Sequence, residues 1–568
     1  MKSNTKVISF LGFGLTLGLL APDHFLPWPS FRHDFLVGIG FSPLGFYAIW
    51  RRIAMPKIAL LVFFLSLTPL LQIMAGETLF FGDGWIAWLY ISAALVSLVL
   101  AANFVRDGKS ENQMQEIQPV IFALVAAAVL SVGISLFQWL ELSYFSEFIS
   151  QSQAVGRYGA NLAQPNQLAI VLLLGVACTI FLFENRILNS YSAMLLGAFL
   201  SFGLVMTQSR MVFLALLFLW IMHWGLGQRA LLRTSGKSIF LLSSFFGVMM
   251  FAWPSINEML LLGEPSALID RVSKDSRFDL WRSMVDAIRQ SPWVGYGWGQ
   301  IPLAQQATAL KHPATYAFFD SAHNIGLDIA VSAGLPVAVI FFVWLALWFK
   351  KQVSSCRDPL SWSVLLAVGF AFCHAMVEYP LAYAYILLPV CFFIGALSRN
   401  EIIEFEVNGI IPSSFRWGFA GISVLTLAGF FVVSNEYIRF ENDWRRTRME
   451  ISGISFAEKD WEAYKPIFLT QLRDYSEFAR TVPERGMTEK KILWMSEVAK
   501  RFGQPSVLTR YAIAAALNGK PEVAARSLAL LCRTQAPRVC VKVLKNWRAI
   551  SSDPAYPELK LVALPALG

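Results

Sequence analysis

Charged side chains are scarce in this 568-residue chain. Asp, Glu, Lys and Arg make up 15% of it, where soluble proteins carry about 25%. Hydrophobic residues reach 56%, and the mean hydropathy is +0.53. The deficit excludes the string of soluble domains that the length alone would allow. It equally excludes a disordered chain and, despite a net charge of +9, a nucleic-acid-binding one. The six cysteines and six histidines show no metal-ligand spacing, so no metal or other cofactor is expected. What is abundant is Phe (46) and Trp (19), and the apolar residues must be solvated by lipid.

A helix needs roughly 20 mainly apolar residues to cross the hydrocarbon core. Spans are expected near 7–22, 35–50, 57–76, 85–104, 119–140, 166–184, 190–208, 211–227, 238–254, 323–349, 361–378, 382–398 and 415–434. The second is short and interrupted by Gly40, Pro43 and Gly45. With the N-terminus inside, the inside segments hold sixteen basic residues, among them Arg51, Arg52, Lys109, Arg229, Lys350 and Arg399. The short outside loops hold three, Arg32, Arg157 and Arg210. That asymmetry fixes the expected direction. A loop at about 255–322 and everything after 434 then face the outside, the periplasm of a bacterial inner membrane. Residues 1–22 resemble a signal sequence, but Ala21-Pro22 is a poor cleavage site and a retained span is expected.

The expected fold is therefore an all-α polytopic membrane protein with two domains. Residues 1–434 form the transmembrane part and 435–568 a C-terminal periplasmic helical domain. Glu436–Arg448 reads as a helix leaving the membrane. Val507–Leu517 and Glu522–Cys532 flank Asn518-Gly519-Lys520-Pro521, a helix–turn–helix signal of tetratricopeptide type. Cys532 and Cys540 are the two cysteines expected outside, where a disulfide persists, and they are expected to pair. Residues 501–550 hold nine basic residues and one acid, Glu522. The periplasm offers little nucleic acid, so this run suits anionic membrane lipids or an acidic protein partner, or is a solvated face.

Polar residues cluster at the outer ends of spans. Arg157-Tyr158-Gly159 is followed by Gln164-Pro165-Asn166-Gln167, and Thr207-Gln208-Ser209-Arg210 forms a turn between two spans. Asp275-Ser276-Arg277 precedes Trp281 and Arg282, then Pro292-Trp293-Val294-Gly295-Tyr296-Gly297-Trp298-Gly299. Asp320-Ser321-Ala322-His323-Asn324 stands at the mouth of the tenth span. An arginine keeps its charge at the hydrocarbon edge, and its planar fork grips phosphate oxygens in pairs. Arg157, Arg210 and Arg277 are thus candidates to converge on a lipid-linked diphosphate, the alternative being arginines that reach for headgroups. Histidine exchanges protons near neutrality, which makes His323, beside Asn324, the candidate base. A lone histidine at a helix start is otherwise structural. Polar residues at one face argue against passage through the protein, which needs them near the midplane.

In order and spacing, these motifs resemble the O-antigen ligase and polymerase superfamily, together with Gly334-Leu335-Pro336. Glu378-Tyr379-Pro380-Leu381, Gly76-Glu77…Gly82-Asp83 and the helical tail are similar to its bacterial O-linked, pilin-type protein oligosaccharyltransferases. The resemblance covers nearly the whole chain. It implies transfer of a preassembled glycan from undecaprenyl diphosphate to a Ser or Thr hydroxyl of a pilin-like protein, without metal or nucleotide sugar. Arg210 and Arg277 match the arginines that hold the diphosphate, and His323 matches the histidine that activates the acceptor. Arg157, Gln164, Asn166, Gln208, Arg282, Asn324, Glu378 and Tyr379 are the further candidates for holding diphosphate, glycan or acceptor. Ligation of glycan to lipid A and polymerisation of repeat units share this chemistry and remain alternatives. A flippase of lipid-linked sugar is more remote.

Overall fold

A computed structural model describes residues 2–23, 26–50, 53–107, 113–151, 156–262, 277–403, 413–454 and 463–566. Arg51, Arg52, Lys109, Asp275 and Ser276 lie outside them. The described residues form twenty-one α-helices and no strand. The first nine are α1 (Lys2–Leu20), α2 (Phe31–Trp50), α3 (Ile58–Ala75), α4 (Phe81–Arg106), α5 (Gln118–Trp139), α6 (Pro165–Glu184), α7 (Ser190–Thr207), α8 (Met211–Leu226) and α9 (Gly236–Met259). Next come α10 (Arg277–Gln290), α11 (Ile301–Thr308), α12 (Ile325–Ala333), α13 (Leu335–Ser355), α14 (Pro359–Ala375), α15 (Ala384–Leu397) and α16 (Ser413–Ile451). The last five are α17 (Thr470–Arg480), α18 (Glu489–Arg501), α19 (Pro505–Leu517), α20 (Pro521–Thr534) and α21 (Pro537–Ser552). Among the described residues, eight helices are long and apolar enough to cross a membrane, and four shorter apolar helices accompany them. The chain is a multi-pass helical membrane protein.

Two expected spans differ in detail. The second is one continuous helix, α2, in spite of Pro43 and its glycines. The tenth, expected at 323–349, is broken into α12 and α13 at Gly334, whose φ of +89° ends the first helix. A glycine is needed there, because a Cβ would stand 2.2 Å from the Trp293 carbonyl oxygen. The thirteenth expected span and the charged helix after it are one 39-residue helix, α16.

The chain divides into two compact units. The first comprises Met1–Leu65, Leu89–Ser273 and Phe341–Phe430. Its centre is α6, packed by α5, α7 and α14. Leu168 to Leu174 are each at most 1% exposed, so this helix is apolar on all sides because protein surrounds it. α1 and α2 pack through glycine: a Cβ on Gly14 would lie 2.4 Å from the Gly40 Cα. Side-chain caps start several helices, Asn189 bonding the Ser192 N–H and Asp358 the Ser361 N–H.

The second unit comprises Ser66–Trp88, Lys274–Ile340 and Phe431–Gly568. In this unit the segment after α16 packs with residues of the long loop, Gln306 Nε2 donating to the Ala499 carbonyl. Phe80 joins Phe478, Met495, Val498, Val507, Leu531 and Leu544 in one buried cluster. Glu436, on α16, accepts the backbone N–H groups of Ile467, Phe468 and Leu469. α19 and α20 form a helical hairpin turning at Gly519, with φ +74°. Cys532 and Cys540 are joined in a disulfide that ties α20 to α21.

Candidate active site

In the first unit, Asn166 is the hub of a polar cluster. Pro165 opens α6, and the Gln164 side chain caps it by accepting the N–H groups of Asn166 and Gln167. That cap holds Asn166 at the first turn. Its carboxamide oxygen accepts from Arg157 Nη2 at 3.2 Å and from the Ser209 hydroxyl at 2.9 Å. Its Nδ2 donates to Glu378 Oε1 at 2.5 Å. Arg157 Nε also donates to the Thr207 carbonyl at 3.2 Å. Four of the quoted motifs therefore meet at one carboxamide.

The turn between α7 and α8 is sharp because Gln208 takes the left-handed conformation, φ +51°. Its side chain turns inward, donating to the Val205 carbonyl and lying 3.2 Å from Met250 Sδ. Arg210, partly buried, stands at the N-terminus of α8. Glu378 is 2% exposed, and the Tyr379 ring packs 5.8 Å from that of Tyr383.

In the second unit, a single loop presents His323. Trp281 Nε1 donates to the Ala322 carbonyl at 2.9 Å. Asp328 accepts the Ala322 N–H at 2.7 Å and the Ser321 hydroxyl at 2.9 Å. Ser321 Oγ in turn accepts the His323 N–H at 3.0 Å. Asn324 caps α12 through the N–H groups of Gly326 and Leu327. Held on both sides, His323 adopts φ +51°, which a residue with a Cβ keeps only when its surroundings determine it. The Phe319 ring meets the imidazole edge-on at 5.4 Å. Arg277 opens α10, whose Leu280, Met284 and Ala287 share a buried cluster with Ala322 and Val331. Arg282 lies on the same helix with its side chain 75% exposed, 3.8 Å from Asp279.

The spanning helix begins at Leu335, so Asp328 lies outside it. Burial raises its carboxyl to about 6, against the pull of the Ala322 N–H and the Ser321 hydroxyl.

The Pro292–Gly299 motif clasps the end of α12. Tyr296 N and Gly297 N donate to the carbonyls of Val331 and Ser332, and Leu335 N donates to that of Pro292. Gln72 Nε2 bonds both Val294 O and Ser332 O. Gln300, fully buried, bonds Leu79 N and Glu77 O. Asp83 pairs with Arg501. Sequence reasoning missed Asp328, Gln72 and Gln300, and read Arg501 only as one cation of the basic run over 501–550. Asp328 did leave a signal, a carboxylate inside a stretch assigned to lipid.

Residues 193–342 match the O-Antigen ligase family, and residues 361–532 match the family described as virulence factor membrane-bound polymerase, C-terminal. The chain is 25% identical over 528 residues to the General O-oligosaccharyltransferase of Acinetobacter baylyi, covering 91% of this chain and 90% of that protein. It is 25% identical over 355 residues to the ComP-specific O-oligosaccharyltransferase of the same organism, covering 62% and 63%. With the multi-pass fold, these matches make the chain a membrane glycosyltransferase. It groups with the O-oligosaccharyltransferases of the O-antigen ligase superfamily.

Proposed function

We propose that this protein moves a preassembled oligosaccharide en bloc from undecaprenyl diphosphate to a Ser or Thr hydroxyl of a pilin-like protein. The observation that carries this reading is similarity along 91% of the chain to a protein named for general O-oligosaccharide transfer. The reaction takes place on the periplasmic side of the inner membrane, an orientation supported by the basic-residue asymmetry. Thirteen spans within 1–434 and a tetratricopeptide-like periplasmic tail over 435–568 complete the proposed topology.

As diphosphate leaves the anomeric carbon, the bonding pair passes to its oxygen. Arg210 and Arg277 neutralise that charge, with Arg157 and Arg282 as further candidates to hold the diphosphate. The acceptor oxygen forms the new bond to the opposite face of the oxocarbenium-like carbon, which predicts inversion. Its proton goes to His323 in the neutral form, contributing on the order of 10²–10⁴-fold. The support for this role is the loop that fixes His323 through Trp281, Ser321 and Asp328. Gln164, Asn166, Asn324 and Tyr379 shape the binding surfaces for glycan and acceptor, and the buried Gln208 and Glu378 support them from behind. A second reading, ligation to lipid A or polymerisation, draws support from the two family matches.

The test is intact-mass spectrometry of a pilin co-expressed with lipid-linked oligosaccharide in a host lacking its own glycosylation. A glycan-sized mass gain, lost with His323→Ala and with Arg210→Ala, is expected. Glycan arriving instead on lipid A, or lengthening on its carrier, moves the assignment to the second reading.

A further inference from the structure

We propose that Arg533, in the C-terminal helices, is a positioning residue for His323, and that the Cys532–Cys540 disulfide holds Arg533 in place. The proposal rests on the reading of His323 as the acceptor-activating base.

The chain from α11 to His323 contains two non-glycine residues in the left-handed region, Tyr316 at φ +50° and His323 at φ +51°. Such conformations persist where bonds on either side leave no alternative. Near its second half the segment is held from α11: Gln305 Nε2 donates to Thr315 Oγ1 and to the Ala317 carbonyl, and Gln305 Oε1 accepts the Phe319 N–H at 3.1 Å. Phe319 then abuts the His323 ring. The first half is held by Arg533. Its Nη2 donates to the His312 carbonyl at 2.5 Å and its Nε to that of Ala309 at 3.4 Å. Its own carbonyl accepts the Tyr316 N–H at 3.1 Å. One residue thus grips three points within 309–316, the last at the strained Tyr316.

Arg533 follows Cys532 directly and lies in the last turn of α20, where the disulfide to α21 stops that turn from unwinding. Gln535 Nε2 bonds the Gly503 carbonyl and Gln306 Nε2 bonds those of Ala499 and Lys500, so the grip has further supports nearby. Arginine suits this grip because Nε and Nη2 are separate nitrogens fixed in one plane and reach two separate carbonyls, whereas a lysine carries all its donors on one nitrogen. This separates Arg533 from the exposed Arg538, Lys542, Lys545 and Arg548, which would act through charge.

The experiment compares Arg533→Ala, Arg533→Lys and the Cys532→Ser/Cys540→Ser pair with wild type in detergent, with Lys542→Ala as control. Acceptor transfer and amide hydrogen exchange are both measured. The expected result is a kcat at least tenfold lower for Ala, for Lys and for the cysteine pair, with acceptor KM within twofold. Exchange at Tyr316–His323 speeds up in all three, while α18 stays as protected as in wild type. The proposal is overturned if Lys restores kcat, or if acceptor KM rises at unchanged kcat, which marks a docking charge. Unchanged exchange over 316–323 also overturns it. Global loss of protection in the Ala variant leaves the Lys variant and the cysteine pair to decide. Because exchange is read without substrate, an inactive wild-type enzyme refutes the transferase reading and not the clamp.

Discussion

Asp83 and Arg501, 418 positions apart, meet fork to fork, with Arg501 Nε 2.8 Å from Oδ2 and Nη2 2.9 Å from Oδ1. Gly299 completes the arrangement: it sits at φ +76°, and a Cβ there would stand 3.1 Å from the Asp83 Cβ. The pair joins the outer Gly82-Asp83 motif, the end of the Pro292–Gly299 motif and α18 in one packed unit. The Asp83 carboxylate is thus engaged by Arg501, packed against the segment that leads to α11.

Breaking such a pair strands one charge, at a cost of about 3–5 kcal/mol. Asp83→Asn and Arg501→Ala should each lower the unfolding midpoint of the detergent-solubilised protein substantially. The double variant should lose much less than the sum. Additive losses would mean that the two side chains stabilise the protein independently.

Asn166 works as a carboxamide, accepting from two donors while donating to Glu378. Asn166→Asp removes the donor and sets two carboxylates against each other. Transfer is expected to fall at least tenfold, and a second change, Glu378→Gln, should recover part of it by supplying an N–H donor. No recovery in the double variant would show that Glu378 has a role beyond its bond to Asn166.

Gly334 combines a φ of +89° with a carbonyl 2.2 Å from where a Cβ would be. Gly334→Ala should cost about 2 kcal/mol or more, from backbone strain together with overpacking. Gly519→Ala, at φ +74° but with nothing within 4 Å, should cost only the strain. Equal losses at the two positions would remove the close approach as the cause.

The membrane character and the helical hairpin were legible in the sequence, because apolar runs and the Asn518-Gly519-Lys520-Pro521 signal are local. So was the order of the polar motifs. What joins them was not. Gln72, Gln300 and Gln305 act through backbone groups distant in the chain, and a lone glutamine carries no periodic signal. Arg533 looked like one more cation of a basic run, yet its donors are committed to His312 and Ala309. The break at Gly334 was hidden because hydropathy continues across it, and the left-handed turn that ends α12 depends on the Pro292–Gly299 segment.

Asp328 gives the clearest dependence on pH. Its carboxyl is raised to about 6 from an ordinary 3.8, so the native chain binds this proton more tightly than the unfolded chain does. Its contribution to stability is full below the ordinary value and is lost as pH rises through about 6. Asparagine carries no charge to desolvate, but it offers one oxygen to two donors, Ala322 N–H and the Ser321 hydroxyl. Asp328→Asn should therefore be less stable than wild type at pH 5, and the gap should narrow towards pH 8. Transfer at pH 8 should still fall about tenfold, since the loop that sets His323 loses an acceptor. Thermal unfolding in detergent at the two pH values decides the first point: a gap that widens with pH would show that Asp328 is stabilised as the anion, and that its bonds to the loop outweigh its burial.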